Sequence, residues 1–147
     1  GGACEPCPAG EYKDAVGGTQ CTACPTNTDT YNGQDVPTGA SGDVTNCTCN
    51  PGSYAPSAGI SCTLCSEGKY QNQTGQQQCT PCPQNRTTQT PGSVNSSLCH
   101  CIPGHSGPLC GPCRPNTFTQ GGPGDPDCEP CPGGSESGGG AGECVCK

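Results

Sequence analysis

The chain predicts a small disulfide-rich fold: a rod-like tandem array of three cysteine-rich modules with little regular structure beyond short β-hairpins. Three observations carry this. Cysteine takes 18 of 147 positions, and one six-cysteine pattern is written three times: C-x2-C, a gap, C-x2-C, a longer gap, then C-x-C. Its copies are Cys4, Cys7, Cys21, Cys24, Cys47, Cys49; Cys62, Cys65, Cys79, Cys82, Cys99, Cys101; and Cys110, Cys113, Cys128, Cys131, Cys144, Cys146. The third observation is the poverty of everything else apolar. Val, Leu, Ile and Phe together number 11 against 25 Gly and 17 Pro, too few to bury a conventional core. Without crosslinks such a chain is disordered. Nine disulfides, each worth about 2–4 kcal/mol, offset that entropy, and they persist where the surroundings oxidise, outside the cell or in a secretory route.

Along each module the cysteines are joined by turn chemistry. Three residues after Cys7, Cys65 and Cys113 stand Gly10, Gly68 and Asn116, residue types that enter left-handed backbone at least cost, so a tight turn is expected there. Two residues further on stand Tyr12, Tyr70 and Phe118, expected to cover the nearest disulfide as a miniature core. Gly17, Gly75 and Gly124, four residues before Cys21, Cys79 and Cys128, mark a second turn. Pro25, Pro83 and Pro132 directly follow Cys24, Cys82 and Cys131. The intervening segments are too short and too rich in Gly, Pro and Thr for helix; hairpins around Tyr12 and Tyr70 are the expected regular structure. Residues 25–46 form the longest loop, and residues 132–143 are nearly all Gly, Ser and Glu.

Several functions are excluded by composition. Five Lys and Arg in a chain of net charge −7 form no phosphate-binding patch, so nucleic acid is not an expected partner. No apolar run reaches the length of a membrane span, so this segment is not expected to insert. The absence of Met, with a start at Gly1-Gly2-Ala3, reads as a processed piece of a longer precursor. The pairs Cys4-x2-Cys7 and Cys21-x2-Cys24 have the spacing of a four-thiolate zinc site, but each module adds a C-x-C pair that such a site does not need, so no metal and no cofactor are expected. His100 and His105 read as exposed loop histidines. Ser106 beside His105 lacks the orienting acid and rigid scaffold of a triad, and no enzyme is expected. Four sequons, at Asn46, Asn72, Asn85 and Asn95, point to N-linked sugar.

The run Cys99-His100-Cys101-Ile102-Pro103-Gly104-His105-Ser106-Gly107-Pro108-Leu109-Cys110 resembles the closing half of an epidermal-growth-factor-like module, and Cys49-Asn50-Pro51-Gly52-Ser53-Tyr54 through Gly59 to Cys62 resembles the same with a longer loop. Cys4-Glu5-Pro6-Cys7-Pro8-Ala9-Gly10-Glu11-Tyr12-Lys13 with Cys21-Thr22-Ala23-Cys24-Pro25 is similar to the cysteine-rich repeats of Eph-type receptors and, more loosely, to those of tumour-necrosis-factor receptors. The growth-factor resemblance implies three modules, residues 7–62, 65–110 and an incomplete 113–147, with residues 1–6 ending a preceding module. It implies the bonds Cys7–Cys24, Cys21–Cys47, Cys49–Cys62, Cys65–Cys82, Cys79–Cys99, Cys101–Cys110, Cys113–Cys131 and Cys128–Cys144, leaving Cys4 and Cys146 unpaired within the chain. By the same resemblance the calcium-binding variant places acidic residues just before the first cysteine; here Ala3, Glu5, Pro6, Thr63 and Leu64 occupy that neighbourhood, and no calcium is expected. Fifteen connectivities remain open to each set of six cysteines on sequence alone, including a register whose units begin at Cys4, Cys62 and Cys110 and close every bond internally.

The expected role is that of a non-enzymatic extracellular structural glycoprotein, a subunit or spacer of a cell-surface fibre, appendage or coat. Its expected partners are other copies of itself, other fibre or coat proteins, and attached glycans. Linkers as short as Thr63-Leu64 and Gly111-Pro112 limit bending. The alternative is the cysteine-rich stalk of a signalling receptor or a secreted ligand binder, for which two arginines and five aromatics offer few anchors. Because crosslinks rather than a core carry the fold, reducing agent should abolish the circular-dichroism signature of the native chain, while a chelator should leave it unchanged.

Overall fold

A computed structural model describes residues 7–13, 20–30 and 44–147. It contains eight two-stranded antiparallel sheets and two single 3-10 turns, Val44–Asn46 and Ser96–Leu98; among the described residues there is no α-helix. The chain forms two compact units. One comprises Gly1–Cys65, Gln71–Thr80 and Gly92–Val94; the other comprises Ser66–Tyr70, Pro81–Pro91 and Asn95–Lys147.

The repeating element is a hairpin with two cysteines at its base. It opens with the sequence Cys-x-x-(Gly or Asn), and the Gly or Asn has positive φ in all eight copies: Gly10, Asn27, Gly52, Gly68, Asn85, Gly104, Asn116 and Gly134, between 59° and 87°. Each is the third residue of a four-residue turn. The turn is closed by a bond from the next residue's N–H to the carbonyl three residues back, as in Glu11 to Pro8, Arg86 to Pro83 and Thr117 to Arg114, each 3.1 Å. A type II turn requires this conformation at its third position, which only Gly and Asn enter cheaply.

After the turn come two strand residues, a loop, the second cysteine and two returning strand residues. Glu11–Tyr12 pairs with Thr22–Ala23, Thr28–Asp29 with Thr48–Cys49, and Ser53–Tyr54 with Thr63–Leu64 in the first unit. Arg86–Thr87 pairs with His100–Cys101, His105–Ser106 with Gly111–Pro112, Thr117–Phe118 with Glu129–Pro130, and Ser135–Glu136 with Val145–Cys146 in the second. The carbonyl of the positive-φ residue then accepts the N–H three residues past the closing cysteine, for example Gly10 from Cys24 at 2.8 Å, Asn85 from Ile102 at 3.0 Å and Gly134 from Lys147 at 3.0 Å.

Such a base holds its two cysteines about one disulfide apart, so bonding is between sequence neighbours: Cys7–Cys21, Cys24–Cys47, Cys49–Cys62, Cys65–Cys79, Cys82–Cys99, Cys101–Cys110, Cys113–Cys128 and Cys131–Cys144. This corrects the growth-factor pairing. Cys7–Cys24, Cys21–Cys47, Cys65–Cys82, Cys79–Cys99, Cys113–Cys131 and Cys128–Cys144 do not form. Cys49–Cys62 and Cys101–Cys110 are common to both schemes. The physical reason is local. The residues between the cysteines of each C-x2-C are the returning strand of one hairpin, so Cys21 closes that hairpin while Cys24 opens the next; no further strand is available to receive a crossed bond. Cys146 is a free, exposed thiol, and Cys4 lies outside the described residues.

Hairpins within a unit are joined through the sixth residue after each opening cysteine. Gly52 N–H donates to Gln71 O at 2.7 Å and Gly10 N–H to Thr30 Oγ1 at 3.1 Å in the first unit. In the second, Gly68 N–H donates to Thr88 Oγ1 at 3.0 Å and Gly104 N–H to Thr119 O at 2.7 Å. Ala55, Gln71, Thr88 and Thr119 are accordingly buried. Among the described residues the rest of the buried apolar set is half-cystine. Tyr12, Tyr70 and Phe118 are only half-buried, so the core is sulfur and short side chains rather than aromatic rings.

Gly104 and Gly107 separate backbone strain from steric contact. Both have positive φ, but a Cβ on Gly104 would overlap the Gly140 carbonyl, whereas one on Gly107 meets nothing within 4 Å. Gly107→Ala is expected to cost the left-handed penalty of roughly 1–2 kcal/mol. Gly104→Ala should cost clearly more, read as a larger fall in melting temperature and in secreted yield.

Candidate functional site

Among the described residues, a dense set of side-chain polar contacts is built around Arg86 in the second unit. Strand Arg86–Thr87 follows the Asn85 turn, which aims the guanidinium along the base of the adjoining hairpin. Nη1 donates to Cys99 O at 3.0 Å and to Asp125 Oδ2 at 3.0 Å, and Nη2 donates to Pro108 O at 2.9 Å. Asp125 in turn accepts the Cys101 N–H on Oδ1 at 2.6 Å. One cation thus ties together the closing cysteine of one hairpin, the tip of the 101–110 loop and the loop before Cys128. Bonds to a charged partner of this kind are stronger than neutral ones.

The Cys101 backbone N–H, first of all, holds the Asp125 carboxyl below the ordinary 3.8; Arg86 adds to the effect and desolvation opposes it. A carboxylate whose pKa is depressed by folding contributes stability that is fully present above the unfolded value and is lost as pH falls through the folded one.

The arrangement holds structure and offers no reacting group. Cys101, Cys110 and Asp125 lie close enough to suggest a metal donor set, but the two sulfurs are joined to each other and are not thiolates. Cys7, Cys21 and Cys24, considered above for zinc, are likewise bonded to other cysteines. Ser106 Oγ lies 3.1 Å from Cys128 Sγ, and His105 Nδ1 lies 3.2 Å from Pro103 O, so these neighbours do not act on each other. The reading of His100 as an exposed loop residue is corrected: it lies in strand His100–Cys101 and is 9% exposed, with Nδ1 3.3 Å from Cys101 O and Nε2 without a partner among the described residues. A depression in the first unit lined by Thr48, Cys49, Ala55, Ala58, Gly75 and Gln77 is smaller than the roughly 300–1,000 Å³ of a ligand pocket.

The sequon asparagines differ in setting. Asn72 and Asn95 are exposed, as is Asn46, whereas Asn85 is half-buried. Asn95 caps the Ser96–Leu98 turn, its Oδ1 accepting the Ser97 N–H at 3.0 Å. Asn85 donates from Nδ2 to Cys110 O at 3.2 Å. Among large apolar side chains, Leu109 is 89% and Val145 58% exposed. The Arg86 cluster was not foreseen from the sequence. Nothing local marks Asp125 as its partner 39 residues on, although an Arg among so few cations was a signal of sorts.

A family model described as tyrosine-protein kinase ephrin type A/B receptor-like matches residues 1–34 and 52–99. Signal peptide, CUB and EGF-like domain-containing protein 2 of Danio rerio is 37% identical over 107 residues, which is 67% of this chain and 10% of that protein. Sushi, von Willebrand factor type A, EGF and pentraxin domain-containing protein 1 of Rattus norvegicus is 35% identical over 98 residues, 65% of this chain and 3% of that protein. Human ephrin type-B receptor 4 is 34% identical over 62 residues, 42% of this chain and 6% of the receptor. The chain therefore spans a tenth or less of the length of these relatives, whose names are those of EGF-like-domain proteins and of an ephrin receptor.

If Asp125 has the role assigned, Asp125→Asn should lower the melting temperature at pH 7. The gap from the parent should narrow as pH falls below about 3.8, and the Asp125 carboxyl should titrate below that value when followed by carbon chemical shift.

Proposed function

Because the chain belongs to the tyrosine-protein kinase ephrin type A/B receptor-like family, we propose that it is a non-enzymatic extracellular segment that acts as a structural spacer, a subunit of a cell-surface fibre, appendage or coat. The observation that carries this reading is the eightfold repetition of a disulfide-closed hairpin base. Every conserved-geometry position of that base is spent on turn, ladder or crosslink, and none is left presenting a reactive group. No helix among the described residues is long and apolar enough to cross a membrane.

The partners proposed are other copies of this chain or other coat proteins. All four sequons precede Cys101, so contacts would run through the stretch 101–147, where Leu109 and Val145 stand exposed. A second reading, the stalk of a signalling receptor or a secreted ligand binder, is favoured by the match to ephrin type-B receptor 4.

Sedimentation of the oxidised chain over a range of concentrations separates the two. Concentration-dependent polymers that weaken in Leu109→Asp support the fibre subunit. A monomer at all concentrations refutes self-assembly and leaves the stalk. Running the same samples on non-reducing gels, with Cys146→Ser as control, shows whether any polymer is held by the free thiol rather than by Leu109.

A further inference from the structure

We infer that Asn85, although it heads an Asn-Arg-Thr sequon, serves the fold as a hydrogen-bond donor and carries no glycan, and that Asn72 and Asn95 are the sugar-bearing asparagines of residues 50–147. The inference rests on the extracellular glycoprotein reading above.

The argument starts from a position that is not a sequon. Asn27 is followed by Thr28 and Asp29, so no glycosylation signal selects it. It has φ of 59°, donates from Nδ2 to Cys62 O at 3.0 Å and accepts the Asn50 N–H on its carbonyl at 3.0 Å. Asn85 repeats every feature: φ of 61°, Nδ2 to Cys110 O at 3.2 Å, and the Ile102 N–H on its carbonyl at 3.0 Å. In both units the bond runs from the turn of one hairpin to the closing cysteine of the next. Asparagine alone suits both demands, since it tolerates left-handed backbone and carries an amide donor on a short arm. Glycine meets the first demand at Gly134 and cannot meet the second.

The rest of the Asn85 sequon is equally committed. Arg86 is held by Cys99 O, Pro108 O and Asp125, and Thr87 is paired with His100 in the ladder. N-glycosylation joins Nδ2 to the anomeric carbon of an activated glycosyl diphosphate, with the diphosphate leaving and one amide proton released. At Asn85 the glycan would have to be built on a half-buried side chain whose nitrogen already lies 3.2 Å from the carbonyl of Cys110. Asn95 has the opposite disposition. Its Oδ1 serves the Ser97 N–H, and its exposed Nδ2 makes no hydrogen bond among the described residues. Asn72 is exposed beside the buried Gln71, and among the described residues its side chain makes no hydrogen bond.

The test is expression of the whole chain in a secreting eukaryotic cell, enzymatic deglycosylation in heavy-oxygen water, and peptide mapping. Label is expected at Asn72 and Asn95 and absent at Asn85. Thr87→Val, which removes the sequon and keeps the asparagine, should match the parent in secretion and in gel mobility. Asn85→Gln should be secreted several-fold less, with Asn85→Gly between them. Label at Asn85, or faster migration of Thr87→Val, overturns the inference while leaving the glycoprotein reading intact. Label at no sequon overturns both.

Discussion

The constraint on which everything else depends is the closed base of each hairpin, a positive-φ turn and a disulfide clamping the same few residues. Neither device suffices alone. Strands of two residues are far below the length at which a hairpin stands unaided in water, and a disulfide leaves its loop free to take many shapes. Together they fix φ at one residue, a turn bond, a ladder pair and a crosslink within a handful of positions. The entropy that a conventional domain would offset by burying apolar area is removed here mainly from the unfolded chain.

From that base the other features follow. The carbonyl of the turn residue is committed to the strand leaving the hairpin, and its N–H reaches the following hairpin, as Gly68 does to Thr88 and Gly52 to Gln71. Where the acceptor is a side chain, as Thr88 Oγ1 is, it must be buried and polar, which accounts for Thr88 at 2% exposure beside half-cystines; at Gln71 the acceptor is the main-chain carbonyl. Buried polar atoms are tolerable because they are bonded: Gln71 Nε2 donates to Gln78 O at 2.8 Å and its Oε1 accepts the Gln73 N–H at 3.1 Å. Arg86 and Asp125 add a longer-range tie in the second unit.

The fold class was legible because it rests on composition and spacing, which are one-dimensional. The turns at Gly10, Gly68 and Asn116 were legible for the same reason. Asn27, Gly52, Asn85, Gly104 and Gly134 carry the same signal three residues after a cysteine, but grouping the cysteines in sixes concealed that the unit has two. The pairing was not legible. Cys21 and Cys24 differ in partner only because one ends a hairpin and the other begins one, and C-x2-C looks alike under either scheme. His100 was misjudged because its burial comes from the neighbouring hairpin, and Asp125 was invisible because its partner is remote in sequence.

Bonding between neighbouring cysteines also bears on how the chain reaches its native state. Loops of 9 to 23 residues close quickly and at low entropic cost. Among the cysteines from Cys7 to Cys144, each that opens a hairpin has as its partner the next one along the chain. Oxidation can then proceed from the amino end as a series of short, finished steps. An interleaved pairing would instead require an early thiol to wait, exposed to wrong partners, until a later segment arrived.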